Sequence, residues 1–220
     1  MISTGVGSIR LSNNVNRVLD ISGNFNISGG TFHLAIAGGS ATVNIGGDFN
    51  MTGGTLTETG SSSVLFVFDN GGTTQNFRRT FGTISNNIGF TVNSNVTIDF
   101  GTNDYANGSG TFTLSNGATL QTANTTGING SIQTTSRSLS ASANYTFDGT
   151  IVQVTGTYLP TTVNNFTINN TNGVTLSQTI TINGEYSSND QFSTAFNINF
   201  NGTRKYCRFS WYCYLFHYCS

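Results

Sequence analysis

Charge is what this chain of 220 residues has least of. Only 8% of it is Asp, Glu, Lys or Arg, and the net charge is -1. No basic surface exists to neutralise phosphates, which argues against nucleic acid as a partner. Proline occurs once, as Pro160, so little interrupts strand pairing. Cysteine is missing from residues 1–206, so this part of the chain needs no disulfide. No apolar run approaches the ~18 residues of a membrane helix, so no membrane span is expected. "MISTGVGSIRLSNN" lacks the charged start and apolar centre of a secretory leader. The chain is therefore expected to continue within a larger polypeptide. Stretches rich in Ala, Leu, Glu and Lys are also missing, which leaves no helical periodicity.

In their place stand Gly, Ser, Thr and Asn, together roughly half the residues, far above ordinary usage. Aromatics make up 12%, with 17 Phe, and Val, Ile and Thr recur throughout. Disordered chains are poor in these types, whereas pleated, half-buried strands favour them.

The chain repeats itself. "LDISGNFNISGGTF" from Leu19 aligns with "VNIGGDFNMTGGTL" from Val43. Leu19 matches Val43, Ile21 matches Ile45, Phe25 matches Phe49 and Ile27 matches Met51. Phe25 and Ile27 are expected to point inward, and Gly29-Gly30 to turn the chain. A weaker copy, "ITINGEY" from Ile180, places Tyr186 opposite Phe25. A second repeat class holds "FTVNSNVTID" from Phe90, "FTLSNGATLQ" from Phe112 and "FTINNTNGVTLS" from Phe166. Phe90, Val92, Val96, Ile98 and Phe100 share one parity, as in strands with one buried face. The Ser115-Asn116-Gly117 centre marks a corner.

Matched repeats at a near-constant offset predict an all-β fold, a right-handed parallel β-helix (β-solenoid) with about 22–24 residues per rung. The alternative is an antiparallel β-sandwich. At that length the chain holds about eight or nine rungs stacked at ~4.8 Å. The organisation is a lead-in or partial rung over 1–18, a solenoid over 19–202 and an atypical tail over 203–220. Stacked Asn and Thr side chains are expected to form ladders between rungs.

"ISGNFNISGGTF", "GGDFNMTGGTLTETG", "FTLSNGATLQTANTTGINGSIQTT" and "TYLPTTVNNFTINNTNGVTLS" resemble the Gly/Thr/Asn-rich repeat regions of very large secreted bacterial surface proteins. The resemblance covers roughly residues 19–200. It implies a right-handed β-helix, export to the cell surface and an adhesin-like or matrix-like role. It implies no catalytic residue.

Several chemistries can be weighed. Calcium-binding solenoids need tandem Gly-Asp turns. "GGDFNMTGG" has neither the glycine spacing nor tandem aspartates, and the acidic position drifts from Asn24 to Asp48 to Glu185, while Asp20 faces Asn44. A column that accepts any polar group is a hydrogen-bonding corner. Glycoside hydrolysis needs two carboxylates at a set separation. The acids are scattered, and Asp99 and Asp104, the closest pair, read as a solvated strand end and loop. Arg78-Arg79 reads as a solvated loop pair. His33 alternates with apolar neighbours and reads as a strand-face residue. Of the N-x-[ST] sites, such as Asn26, Asn50, Asn95, Asn124 and Asn165, many arise by chance at this composition, and they mark glycans only if the host glycosylates such sites. No catalytic, metal-binding or cofactor-binding residue is assigned.

The tail "TRKYCRFSWYCYLFHYCS" holds Cys207, Cys213 and Cys219, with Trp211 and Lys205. The spacing is not a zinc pattern, and three cysteines leave one unpaired. A one-base shift in reading frame turns Thr, Val and Gly codons into Tyr, Cys and Trp codons. That offers a frameshift as one origin of the tail, beside an authentic terminus.

The functional expectation is a non-enzymatic structural or adhesive repeat module of a secreted bacterial cell-surface protein, acting as stalk or interaction surface. Its partners would be extracellular polysaccharide or other cell-surface proteins. The alternative is a polysaccharide-binding or polysaccharide-degrading β-helix protein. Three or more acids or bases converging in one groove would weigh towards that alternative.

Overall fold

The computed structural model describes residues 7–60, 64–188, 192–193 and 197–201. The tail over 203–220 lies outside these. Every strand pairing among the described residues is parallel. The fold is a β-solenoid of about eight turns, and the antiparallel sandwich does not occur. A ten-stranded sheet runs the length of the stack, and a six-stranded sheet covers its first part. From Gln153 onward two three-stranded sheets replace the second one. Among the described residues, helix is confined to one turn, Ile128–Ser131.

The pairings align the repeats as their sequences match. Leu19 lies on Val43 and Ile21 on Ile45; Phe25 lies on Phe49 and Ile27 on Met51. Phe90 lies on Phe112. One column passes from Phe25 through Phe49, Phe77, Phe100, Thr122, Phe147 and Ile168 to Ser188. Its successive steps are 24, 28, 23, 22, 25, 21 and 20 residues. The spread exceeds the expected 22–24 because corners vary in length while the paired strands keep register.

Two expected alignments are corrected by that register. Tyr186 stacks on Phe166 and Tyr145, two positions away from the Phe25 column. Phe166 belongs to the ten-stranded sheet, whereas Phe90 and Phe112 sit in the six-stranded one. In each case the apolar-polar alternation was right and the face was not, because period-2 strands look alike on every face.

Period-2 burial builds the core. Phe25, Phe49, Phe77 and Phe100 are fully buried, with ring centroids 5.5, 4.5 and 4.9 Å apart and planes within 18, 15 and 27°. Phe66 and Phe90 form a second column from the opposite sheet. They meet the first edge-on, as Phe49–Phe66 at 5.6 Å and 89° and Phe77–Phe90 at 5.6 Å and 78°. Such pairs contribute about 0.5–1.5 kcal/mol beyond their burial. Thr122 interrupts the column, and its hydroxyl meets that of Ser131 at 2.7 Å. Two buried glutamines satisfy carbonyls at corners. Gln75 donates to the carbonyls of Ile45 and Gly47 (2.7 and 2.5 Å), and Gln153 to those of Thr122 and Asn124 (3.0 and 2.9 Å).

Polar side chains tie rung to rung on the outside. The Asn50 amide donates to Asn26 Oδ1 at 2.9 Å, Asn44 to Asp20 at 2.6 Å, Asn164 to Asn144 at 2.8 Å and Gln121 to Asp148 at 2.6 Å. These are the expected ladders.

Candidate functional site

The regular stack is interrupted where the strand Phe49–Thr57 meets the strand Thr74–Ile84, as it is again between Gly108 and Thr111. In the strand Thr74–Ile84, Met51 pairs with Arg79 but Thr52 pairs with Phe81. Thr80 is therefore an extra residue, a β-bulge. One added residue inverts the side-chain parity beyond it. Phe81 would otherwise share the inward parity of Phe77. Instead it is turned out, 71% exposed, where the preceding rung has Thr52. Gly82 follows at φ 92°.

Before the bulge, Arg79 occupies the core-facing column of Ile27 and Met51. It is only 8% exposed. Its Nη1 donates to Asn107 Oδ1 at 2.7 Å and its Nη2 to the Gly82 carbonyl at 2.8 Å. The guanidinium lies 4.5 Å from the Tyr105 ring centroid, a favourable cation–π placement. Among the described residues no carboxylate forms an ion pair with it. Burial pushes its pKa below the ordinary arginine value, and the Tyr105 phenol opposes that; an arginine stays charged regardless.

The opposite wall is the turn over residues 101–105. Asp104 closes it, accepting from the Gly101 backbone N–H at 3.2 Å and the Arg79 backbone N–H at 2.6 Å. Arg78 pairs with Asp99, donates to Asn76 Oδ1 at 2.7 Å and stands 3.8 Å from Asp104. Between the walls lies a cleft of about 420 Å³, lined by Arg79, Thr80, Phe81, Gly82 and the turn residues Thr102 to Tyr105.

The arginine pair and the two acids are thus corrected. Arg78 and Arg79 lie in a strand and not in a loop; Asp99 near a strand end and Asp104 in a turn stand where expected, but their side chains are 14% and 15% exposed and converge on Arg78 instead of facing solvent. Arg79 and Asp104 line the cleft, and the Arg78–Asp99 pair stands behind them. Their oxygens and donors are engaged with one another and with backbone, which describes a built, rigid wall.

The other candidates are dispersed. Asp48 Oδ1 accepts from the backbone and side-chain amides of Asn76 (2.7 and 2.9 Å), and the Asp48 N–H donates to Asn24 at 2.8 Å. Asn76 and Asp99 continue this column. Glu185 does not share it, and stacks on Asn165, whose Oδ1 accepts the Glu185 N–H at 2.8 Å. Among the described residues no group of three or more His, Cys, Asp or Glu is placed to hold a metal ion. His33 lies between Arg10 and Thr57 of the two neighbouring strands and does not line the cleft. Asn26, Asn50, Asn124 and Asn165 carry hydrogen bonds through their side chains, whereas Asn95 is exposed at φ 62°. No described helix is long and apolar enough to cross a membrane.

Phe81, Tyr105 and Asn107 escaped sequence reading. One signal was present: a polar residue and a phenylalanine recur as Asn24-Phe25, Asp48-Phe49, Asn76-Phe77 and Asp99-Phe100. Aligning these pairs sets Asn76 opposite Asp99, with Arg78 two residues further along the same face. The bulge itself leaves no trace in that pattern.

No protein-family model, curated protein or solved structure matches the chain.

Proposed function

We propose that this chain is a non-enzymatic repeat module of an exported bacterial surface protein, serving as a stalk that presents an interaction surface. The observation that carries this reading is where the polar side chains are spent. Across the stack, Asn, Asp and Gln bond to the neighbouring rung. Such ladders stiffen a rod, and they leave few side chains free for acid–base chemistry. The described core is held by parallel pairing and aromatic columns without a disulfide, a construction suited to a long, modular stalk.

The groove at Arg79 and Asp104, backed by the Arg78–Asp99 pair, favours a second reading, in which the module also binds polysaccharide. It supports binding over cleavage, because Asp104 is committed to two backbone N–H groups and Asp99 to Arg78.

Antibody labelling of intact cells of the source organism tests export. Label without permeabilisation is the expected result, and label seen only after lysis would overturn the reading. Release of reducing ends or unsaturated sugars from a polysaccharide panel by the purified chain would overturn its non-enzymatic part.

A further inference from the structure

The cleft beside the Thr80 bulge carries an inference of its own, resting on the interaction-surface half of the reading above. Its features are unusual for this molecule. Most large aromatics are sent inward: the phenylalanines from Phe25 to Phe77 and from Phe90 to Phe166 are buried, and Tyr158 and Phe200, at 38% and 40%, are far less exposed than Phe81 at 71%. Phe81 is exposed only because an extra residue inverts its parity. An exposed phenylalanine gains nothing for the fold by standing there. Bulges that re-aim one side chain concentrate next to binding and active sites.

The groups around that ring have one chemistry in common. Arg79 and Asp104 are planar, forked groups, held rigid by Asn107, Gly82, Gly101 and the Tyr105 face. Thr102 and Asn103 add an exposed hydroxyl and an exposed amide on the opposite wall. A carboxylate has about four acceptor sites, so Asp104 retains acceptor capacity beyond its two backbone partners. A flat apolar ring flanked by forked donors and acceptors suits a pyranose, which has a C–H face and a hydroxyl edge. The volume, about 420 Å³, falls within the range of small-ligand clefts. Charge selects the class of sugar. The lining pairs one cation, Arg79, with one anion, Asp104, and Arg78 with Asp99 behind them balance likewise. A carboxylated or sulfated sugar would meet Asp104 as well as Arg79.

We propose that this cleft binds an uncharged pyranose unit of a polysaccharide, with Phe81 as the stacking platform and Arg79, Asn103 and Asp104 as hydroxyl partners. The ring would lie on Phe81 and direct its hydroxyls toward the 102–105 turn. Ordering the site costs little, because the bulge and the salt-bridged wall fix it beforehand.

Titration of the full chain with neutral hexose and N-acetylhexosamine oligosaccharides, followed by calorimetry, tests this, with polygalacturonate as the acidic comparison. At least one neutral oligosaccharide is expected to bind, and Phe81→Ala to weaken it at least ~10-fold. Phe81→Trp should restore binding, and the melting temperature of Phe81→Ala should equal that of the unaltered chain, since the side chain is exposed. Absence of binding by every neutral oligosaccharide would overturn the proposal. So would equal binding by Phe81→Ala, or tighter binding of polygalacturonate. These failures leave surface labelling unchanged, whereas a chain that binds sugar but is not labelled on intact cells overturns the export reading alone.

Discussion

Gly82 sits where a side chain cannot. Its φ is 92°, and a Cβ there would lie 2.6 Å from Met51 Cε and 2.8 Å from the Gly53 carbonyl oxygen. Gly82→Ala combines left-handed strain with a backbone clash, so it should cost about 1–3 kcal/mol. Thermal unfolding should show a melting temperature lower by several degrees. An unchanged value would mean the bulge is freer than its geometry implies. Asp148 makes a different residue-scale prediction. Its Oδ2 accepts from Gln121, while its Oδ1 is buried with no partner among the described residues. Burial raises its carboxyl above the ordinary aspartate range, and the nearby Asp99 charge adds to this, against the Gln121 bond. The folded chain therefore holds this proton more tightly than the unfolded chain does. By linkage, stability falls as pH rises through the raised value, and recovers on acidification towards the ordinary carboxylate range. Asp148→Asn keeps an acceptor for Gln121 and removes the charge. Its melting temperature should exceed that of the unaltered chain at pH 7, and the gap should shrink near pH ~4. A gap that is constant with pH would rule out ionisation as its source.

At the scale of strands, the phenylalanine column is where packing energy concentrates. Phe77 touches Phe49 at 4.5 Å, Phe100 at 4.9 Å and Phe90 at 5.6 Å. Phe77→Ala should destabilise by about 3–5 kcal/mol, because three rungs lose a shared partner. A double-mutant cycle with Phe49→Ala should give a coupling of about 0.5–1.5 kcal/mol, measured by denaturant unfolding; additive losses would show that the rings act independently. These strands were legible in the sequence because alternation and matched repeats both report one quantity, the inward face. Leu19 on Val43 and Phe25 on Phe49 follow from that alone. Assignment to a particular sheet was less legible, as Phe166 and Tyr186 demonstrate, since a strand of three residues carries its parity but no label for its face. The cleft was least legible. It depends on one inserted residue, Thr80, and on the approach of residues 78–81 to 99–105, which is set by register and not by local pattern. Arg79 reads as surface in the sequence because it is charged, yet its column is that of Ile27 and Met51.

For the whole molecule, each rung pairs only with the rungs above and below it. Stability is then close to a sum of rung and interface terms. Thr97 pairs with Thr119 and Ile98 with Leu120, so deleting residues 98–119 joins Thr97 to Leu120 at an equivalent point of the next turn. The shortened chain should keep its β-rich circular dichroism and melt cooperatively at a lower temperature. Deleting 98–108 instead removes part of a turn and shifts every later face, so this chain should not fold. Equal behaviour of the two deletions would contradict the rung as the unit. The same arrangement has a mechanical side. The paired strands lie across the stack, so their backbone hydrogen bonds point along its axis. Tension applied between the first and last rungs loads those bonds end-on, one rung at a time, as in an opening zipper. A rung occupying ~4.8 Å of stack pays out roughly 70 Å of extended chain when it opens, at ~3.3 Å per residue. Under pull the rod would yield by lengthening in steps, each dissipating work, and it would re-form when slack.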